Sequence, residues 1–279
     1  MVKNPDMETS TFRRFCAIAY EKAGITLGDS KEALVEARVG RRMRALGLVH
    51  EKEYLIRLEK DSTGEEIVQF LDVISTNHTS FFREPDHFEF LRTVLADWRR
   101  EGMRRLRVWS AASSTGEEPY TIAFTIADTL ENAVVDWRIL ATDISTKVLA
   151  KAEAGVFDDS KLTGLARGEL NRFFERGPDK DKHTVQPEMR AKITFRRLNL
   201  VTPPYPMRGP FDIIFCRNVM IYFDQAVRQR VISGMERLLR PGGYLLIGHA
   251  EALSGVRTEL RMIRPSVFLQ SNAAAEAAL

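Results

Sequence analysis

The sequence predicts an α/β protein: a doubly wound, mostly parallel sheet with helices on both faces, preceded by a small all-helical unit. Two observations carry that expectation. From Arg105 onward, apolar runs of strand length alternate with helical patterns, the rhythm of a parallel sheet whose crossovers are helices. From residue 9 to 75 the apolar residues instead recur at helical spacing, and no run reads as a strand.

Taken in order, "TFRRFCAIAYEKAG", "SKEALVEARVGRRMRALG", "EKEYLIRLEKD" and "EEIVQFLDVIS" each show helical periodicity, with Gly24, Gly47 and Gly64 as stops. They make residues 1–75 an N-terminal helical domain. Residues 76–90, "TNHTSFFREPDHFEF", form a link that Pro85 and its clustered phenylalanines mark as ordered. Residues 91–272 carry the alternation. The strands expected there are "LRVWSA", "WRILATD", "ITFRRLNL", "FDIIFCRN" and "GGYLLIGHAE", and the intervening helices include "EPYTIAFTIADTL", "STKVLAKAEA" and "DQAVRQRVISGMERLLR". A late run, "SVFLQ", reads as an antiparallel edge strand. Residues 156–193 interrupt the rhythm with a helix, "ARGELNRFFERG", and a polar, turn-rich stretch, "PDKDKHTVQPEMR", and are taken as an insertion. The tail, 273–279, is short and biased, and is expected to fray.

Composition narrows the function. With 279 residues, 44% hydrophobic and 28% charged, the chain can bury a full core, and a net charge of +3 is too small to imply nucleic acid. Cys16 and Cys216 are unpatterned, and the second sits in an apolar run as a buried free thiol, which favours a cytoplasmic setting. No signal-peptide pattern and no run near 18 apolar residues is present, so no membrane insertion is expected. The five histidines fall at no zinc or facial-triad spacing, so no metal is expected, and there is no Ser-His-Asp signature and no P-loop lysine.

Ligands of doubly wound folds sit outside the carboxyl ends of the strands. The first strand ends in "SAASSTGEE", with one glycine where a dinucleotide fingerprint needs three, and with Glu117 and Glu118 where an anion would be repelled. A ligand positively charged near its reactive end would be attracted instead, and S-adenosylmethionine carries a sulfonium and an ammonium. The competing reading is that carboxylates simply favour the first turn of a helix. Asp143, ending the second strand, can accept from ribose hydroxyls or cap the following helix, with Ser145 as another cap. Asn199 ends the third strand, and Arg217 and Asn218 end the fourth, suiting adenine recognition and floor contacts. In the link, Asn77, Thr79 and Arg83 place an amide, a hydroxyl and a guanidinium together. Arg83 suits a carboxylate, and Phe81 and Phe82 read as packing between the two domains.

The five motifs "NHTSFFREPDHF", "WSAASSTGEEPYTIA", "ATDIS", "FDIIFCRNVMIYF" and "LRPGGYLLIGHAE" together resemble the chemotaxis receptor methyltransferase family, CheR, over nearly the whole chain. The resemblance implies a Rossmann-like S-adenosylmethionine-dependent methyltransferase domain with a small inserted β-subdomain. It also implies methyl-ester formation on glutamates of chemoreceptors, with S-adenosylhomocysteine as product. By resemblance the cofactor contacts fall on Asn77, Thr79, Arg83, Glu118, Asp143, Asn199, Leu200, Arg217 and Asn218. Tyr222 matches the family tyrosine near the transferred methyl, with Arg83 beside it at the reacting end. The expected partners are the cytoplasmic methylation helices of chemoreceptors, met by a monomer, with no nucleic acid.

On the second predicted helix, Val35, Val39, Met43 and Leu46 form an apolar stripe, and Arg38, Arg41 and Arg42 gather on an adjoining face. Such a cluster is usually a solvated face, but it also suits docking of a glutamate-rich receptor helix. Some family members use the inserted subdomain's glycine-rich loop to grip a pentapeptide at the receptor's C-terminus. Here the matching stretch "ERGPDKDKHTVQPEM" has only Gly177, followed by Pro178, so independence from that pentapeptide is expected. The alternatives are a cofactor-binding sensor or an RNA methyltransferase. The latter would need a broad basic surface, and "CRNVMIYF" lacks the Asn/Asp-Pro-Pro-aromatic motif of base N-methylation.

Overall fold

The computed structural model describes residues 7–131, 133–177 and 179–271; the predicted frayed tail and Pro178 lie outside the described residues. Four helices, α1 (Thr9–Ala23), α2 (Glu32–Leu46), α3 (Glu51–Glu59) and α4 (Glu65–Ile74), form the N-terminal domain around Phe12, Phe15, Val35, Val39, Tyr54 and Phe70. Gly24 and Gly47 end α1 and α2 in the left-handed conformation, as expected. Gly64 does not stop α3, which ends five residues earlier; it precedes α4. There the half-buried Asp61 carboxylate accepts the backbone N–H groups of Gly64, Glu66 and Ile67 together with the Thr63 hydroxyl, whose bond is the first cause holding the carboxyl down at about 2.

Helix α5 (Asp86–Arg100) starts directly after Pro85, so residues 86–90 of the predicted link are already helix. Then follow β1 (Arg105–Ser110), α6 (Glu117–Thr129), β2 (Asp136–Asp143), α7 (Thr146–Ala154), β3 (Val156–Asp158), α8 (Arg167–Phe173), β4 (Phe174–Arg176), β5 (Lys182–Val185) and α9 (Pro187–Arg190). The chain closes with β6 (Ile193–Arg197), β7 (Phe211–Cys216), α10 (Gln225–Glu236), β8 (Leu239–Ile247), β9 (Arg261–Arg264) and β10 (Val267–Leu269). Seven strands order as β6-β2-β1-β7-β8-β10-β9, parallel except for β10, which runs antiparallel to both neighbours. Alternate residues of β7 feed two cores: Ile213 and Phe215 pack with α5 and α6, while Ile214 and Cys216 pack with α10. Burial on both faces is why these strands read as unbroken apolar runs.

Three expectations are corrected. "SVFLQ" is an inner strand, because β9 pairs outside it; β9 is exposed at all four residues and is held by backbone pairing that no side-chain pattern announces. The helix expected through Arg176 stops at Phe173, since Phe174 turns inward to meet Phe81, Phe124 and Phe157 as part of β4. The polar stretch after it, read from its residues as turn-rich, supplies β5, which completes a three-stranded antiparallel sheet, β3-β5-β4, the small inserted β-subdomain that the resemblance implied. Tertiary packing overrides local propensity at both places. Among the described residues, no helix is long and apolar enough to cross a membrane.

The N-terminal domain is tied down over the carboxyl ends of the strands. Thr26 N–H donates to the Tyr222 carbonyl at 2.8 Å, and the Tyr20 hydroxyl to Asp224 at 2.6 Å. At Gly24 (φ +66°) a Cβ would stand 2.7 Å from Val201 Cγ1, so only glycine allows this approach.

Candidate functional site

Strand order reverses between β1 and β7, and the loops following these strands open a crevice there, the usual ligand position in such sheets. With the N-terminal domain as its roof, the crevice becomes a cavity of about 440 Å³, of the size that holds a small molecule. All of the expected cofactor residues line it, as do Tyr222 and Arg38; Arg41 and Arg42 do not. Backbone strain concentrates here. Among the described residues five non-glycines adopt positive φ, and four of them are here: Ser114 and Asn218 line the cavity, Glu84 bonds Asn218, and Phe82 packs on Phe88, which lines it.

Asp143, 8% exposed at the end of β2, accepts backbone N–H bonds from Ser114 and Ser145, both at 2.9 Å. Burial pushes its carboxyl above the usual range, against the pull of those bonds. The cap of α7 is Ser145, whose Oγ accepts from Val148 at 3.3 Å. Asp143 therefore organises the loop after β1 as well as the cavity wall, and its remaining lone pairs are open to hydroxyl donors.

Glu118 is not the unpaired anion its place in the sequence suggests. Its Oε1 accepts from Ser110 Oγ at 2.7 Å and its Oε2 from Arg217 at 3.0 Å. Arg217, 1% exposed at its side chain, also binds Glu84 through two nitrogens at 2.9 and 3.3 Å and donates to the Arg83 carbonyl. Burial raises the Glu118 carboxyl above its ordinary value in spite of Arg217. Burial would raise Glu84 too, but the Asn218 amide at 3.1 Å and Arg217 together hold it below. Glu84 and Glu118 thus share one guanidinium, with Glu84 favoured as the anion and Glu118 pushed by burial toward its neutral form. Glu117 faces elsewhere: the Thr115 hydroxyl donates to it at 2.6 Å, Lys161 of the inserted subdomain lies 3.5 Å away, and it does not reach the cavity.

Two arginines bring unpaired positive charge. Arg83 donates to the His78 carbonyl at 2.9 Å, and Arg38 to the Ile74 carbonyl and to Thr76 Oγ1 at 3.0 Å; neither meets a carboxylate among the described residues. Burial, reinforced by Arg41, pushes the Arg38 pKa down, so an anion arriving in the cavity is favoured beside it. Of the expected cluster of three, only Arg38 lines the cavity. Arg42 is a strut, closed on Glu66 by bonds of 2.8 and 2.7 Å with the Tyr54 hydroxyl completing the group, and Arg41 is exposed. The buried Glu66 needs that counter-charge.

Asn199 lines the cavity, and its side chain also bridges the two domains. Its amide donates to the Lys22 carbonyl at 2.7 Å and its oxygen accepts from Val201 at 3.3 Å, which ties the end of α1 to the catalytic domain. Leu200 is buried in the wall and Thr79 is 9% exposed. Phe81 stacks on Phe124 and Phe82 sits edge-on to Phe88, so both pack within the core of the methyltransferase domain and not between the two domains as expected. Tyr222 ends a 3-10 turn, Met220–Tyr222, that places its ring at the cavity.

Sequence reasoning passed over Glu84 and Glu251. It also missed that His87 and His249 meet: with Glu84 their ligand atoms lie within 4.8 Å of one another. Both Glu84 oxygens are already engaged, by Arg217 and Asn218. S-adenosylmethionine fits the donor set. The buried acceptors Asp143 and Glu118 suit a ligand bringing hydroxyls and positive charge.

Residues 77–268 match the family model described as CheR methyltransferase, SAM binding domain, and residues 10–75 match the CheR methyltransferase all-alpha domain. The chain is 41% identical over 273 residues to the chemotaxis protein methyltransferase of Escherichia coli, covering 97% of this chain and 94% of that protein. It is 41% identical over 273 residues to that of Salmonella typhimurium (97% and 93%) and 39% identical over 254 residues to chemotaxis protein methyltransferase 2 of Pseudomonas aeruginosa (89% of each). With both domains matched in order and the cavity lying where they meet, the chain belongs to the CheR methyltransferase family and is an S-adenosylmethionine-dependent methyltransferase.

Proposed function

We propose that the enzyme forms methyl esters on glutamate side chains of chemoreceptors in the cytoplasm, docking directly on their glutamate-rich methylation helices. The observation that carries this reading is the pair of carboxylate-free guanidiniums, Arg38 and Arg83, in one cavity with Tyr222, Asp143 and Glu118. When bound, S-adenosylmethionine supplies an electrophilic sulfonium methyl group. Asp143 accepts from the ribose hydroxyls, and the acceptor oxygens of the Glu118–Arg217–Glu84 group face the positive charge. Arg38 and Arg83 receive the substrate carboxylate, and Tyr222 orders the reacting end.

No general base is needed, because a glutamate with a pKa of about 4.3 is already ionised at neutral pH. What the protein adds is alignment, worth up to roughly 7–11 kcal/mol in favourable cases. Exclusion of water adds to it, since α1, α2 and the turn between them close over the cavity. The free thiols of Cys16 and Cys216 accord with a reducing compartment. The test is to label chemoreceptor-bearing membranes with methyl-labelled cofactor and treat them with mild base. Label released as methanol supports the ester, and base-stable label refutes it.

Independence from a receptor pentapeptide belongs to the same proposal. The connection between β4 and β5 is closed by Gly177 N–H on the Lys182 carbonyl at 2.9 Å, and Asp179 and Lys182 pair across it at 2.9 Å. A Cβ at Gly177 would stand 3.0 Å from that same carbonyl, so the one glycine serves the hairpin's own closure. Calorimetric titration with the isolated pentapeptide should show no binding. Micromolar binding abolished by altering residues 177–187 would overturn this part.

A further inference from the structure

We propose that Glu251 is a positioning residue for methyl transfer, fixing the loop after β7 that carries Asn218 and Tyr222. Its carboxylate does not line the cavity, yet it accepts four backbone N–H groups. Oε2 takes Gly248 at 2.6 Å and Asn218 at 2.9 Å; Oε1 takes Met220 at 2.7 Å and Ile221 at 3.3 Å. Two of these donors begin the 3-10 turn that ends at Tyr222, one belongs to a left-handed residue of the cavity wall, and one lies just beyond β8. One side chain thus staples two neighbouring strand ends and sets the path of the segment between Arg217 and Tyr222.

The surroundings are shaped for this clip. A Cβ at Gly248 would stand 2.5 Å from the Asn218 amide nitrogen and 2.9 Å from Glu251 Oε2, so the glycine is what lets the carboxylate reach under the loop. The Glu251 N–H donates back to the Gly248 carbonyl at 2.9 Å, closing the turn that aims the side chain. Asn218 at φ 58° is held in a sparsely populated conformation, and a charged acceptor on its own N–H opposes relaxation to an ordinary one. Only a carboxylate offers enough lone pairs for four donors; an amide of the same shape offers one oxygen and turns two further N–H groups on the rest.

The proposal rests on the role given to Tyr222, and the experiment separates the two. Glu251→Gln, Tyr222→Phe and the double variant are assayed for methyl transfer to chemoreceptor-bearing membranes, with thermal melts to fix a temperature at which each is folded. Glu251→Gln should lower kcat by about tenfold to a hundredfold, the scale of a misplacement near 1 Å. The KM for receptor should be nearly unchanged, because Arg38 and Arg83 are not held by this clip. Losses in the double variant should be less than multiplicative, since both act at one side chain. A folded Glu251→Gln enzyme with wild-type kcat, or fully multiplicative losses, overturns the proposal. No loss in Tyr222→Phe refutes the tyrosine's role alone, and the kcat of Glu251→Gln then decides whether the loop is positioned by this residue. If Glu251→Gln does not fold, Glu251→Asp keeps the charge but reaches fewer donors; its kcat is read the same way, and an unchanged value overturns the proposal.

Discussion

Replacing Arg217 by methionine isolates the charge network under the cavity. The guanidinium is 1% exposed, and the side chains it bridges, Glu118 and Glu84, are 10% and 13% exposed. Methionine preserves much of the apolar stem, including contact with the face of Phe88, over which the guanidinium carbon now lies at 5.5 Å. What disappears is the guanidinium bonded to both of these carboxylates, together with a donor to the Arg83 carbonyl. Breaking a buried pair from one side costs about 3–5 kcal/mol, and here two acids are left facing each other. For a chain of this size that corresponds to a fall in Tm of roughly 10 °C.

The pH dependence gives the sharper test. In the parent, burial raises the Glu118 pKa, so its contribution to stability falls as pH rises through the window above an ordinary glutamate value. Glu84 is lowered, so its contribution is present above the ordinary value and is lost as pH falls through its folded pKa. Without Arg217 both carboxyls shift upward, and the folded state binds more protons than the unfolded one. The deficit of Arg217→Met should therefore be largest at neutral pH and shrink on acidification, and adding Glu118→Gln should recover part of it at neutral pH. Melts followed by near-UV circular dichroism across pH measure this. An unchanged Tm at neutral pH, or a deficit that acidification leaves intact, would refute the reasoning.

Asp143→Ala should weaken S-adenosylhomocysteine binding in calorimetry by roughly 1.5–3 kcal/mol, the scale of charge-assisted bonds to ribose; undiminished affinity in a folded variant would leave Asp143 only its bonds to Ser114 and Ser145. Arg38→Glu should raise the KM for receptor while leaving the melt nearly unchanged, and a wild-type KM would remove Arg38 from docking. Arg42→Glu should instead destabilise the N-terminal domain, because it sets a second carboxylate against the buried Glu66; full stability would contradict the strut role.

Which parts of this were legible in the sequence follows from where each residue finds its partners. The central strands are buried on both faces and so spell themselves as apolar runs, and the polar residues that close them, Asp143, Arg217 and Asn218, stand out by contrast at the ends. The strands β5 and β9 carry no such signal, since backbone pairing defines them. Hydrogen-bond partnership is written even less locally. Glu84 meets Arg217 from 133 positions away and Glu251 meets Asn218 from 33, and in isolation each is one more surface-type residue beside a turn. The same blindness works in reverse. Arg42, Asn199 and Glu118 look available in sequence because nothing local shows that Glu66, the Lys22 carbonyl and Arg217 have already claimed them. The charge that a ligand meets in this cavity is thus a remainder, set by which ionised groups the fold leaves unpaired. Of the arginines that sequence placed near it, Arg38 and Arg83 line the wall without a carboxylate partner among the described residues, and on the proposed reading a substrate glutamate supplies one.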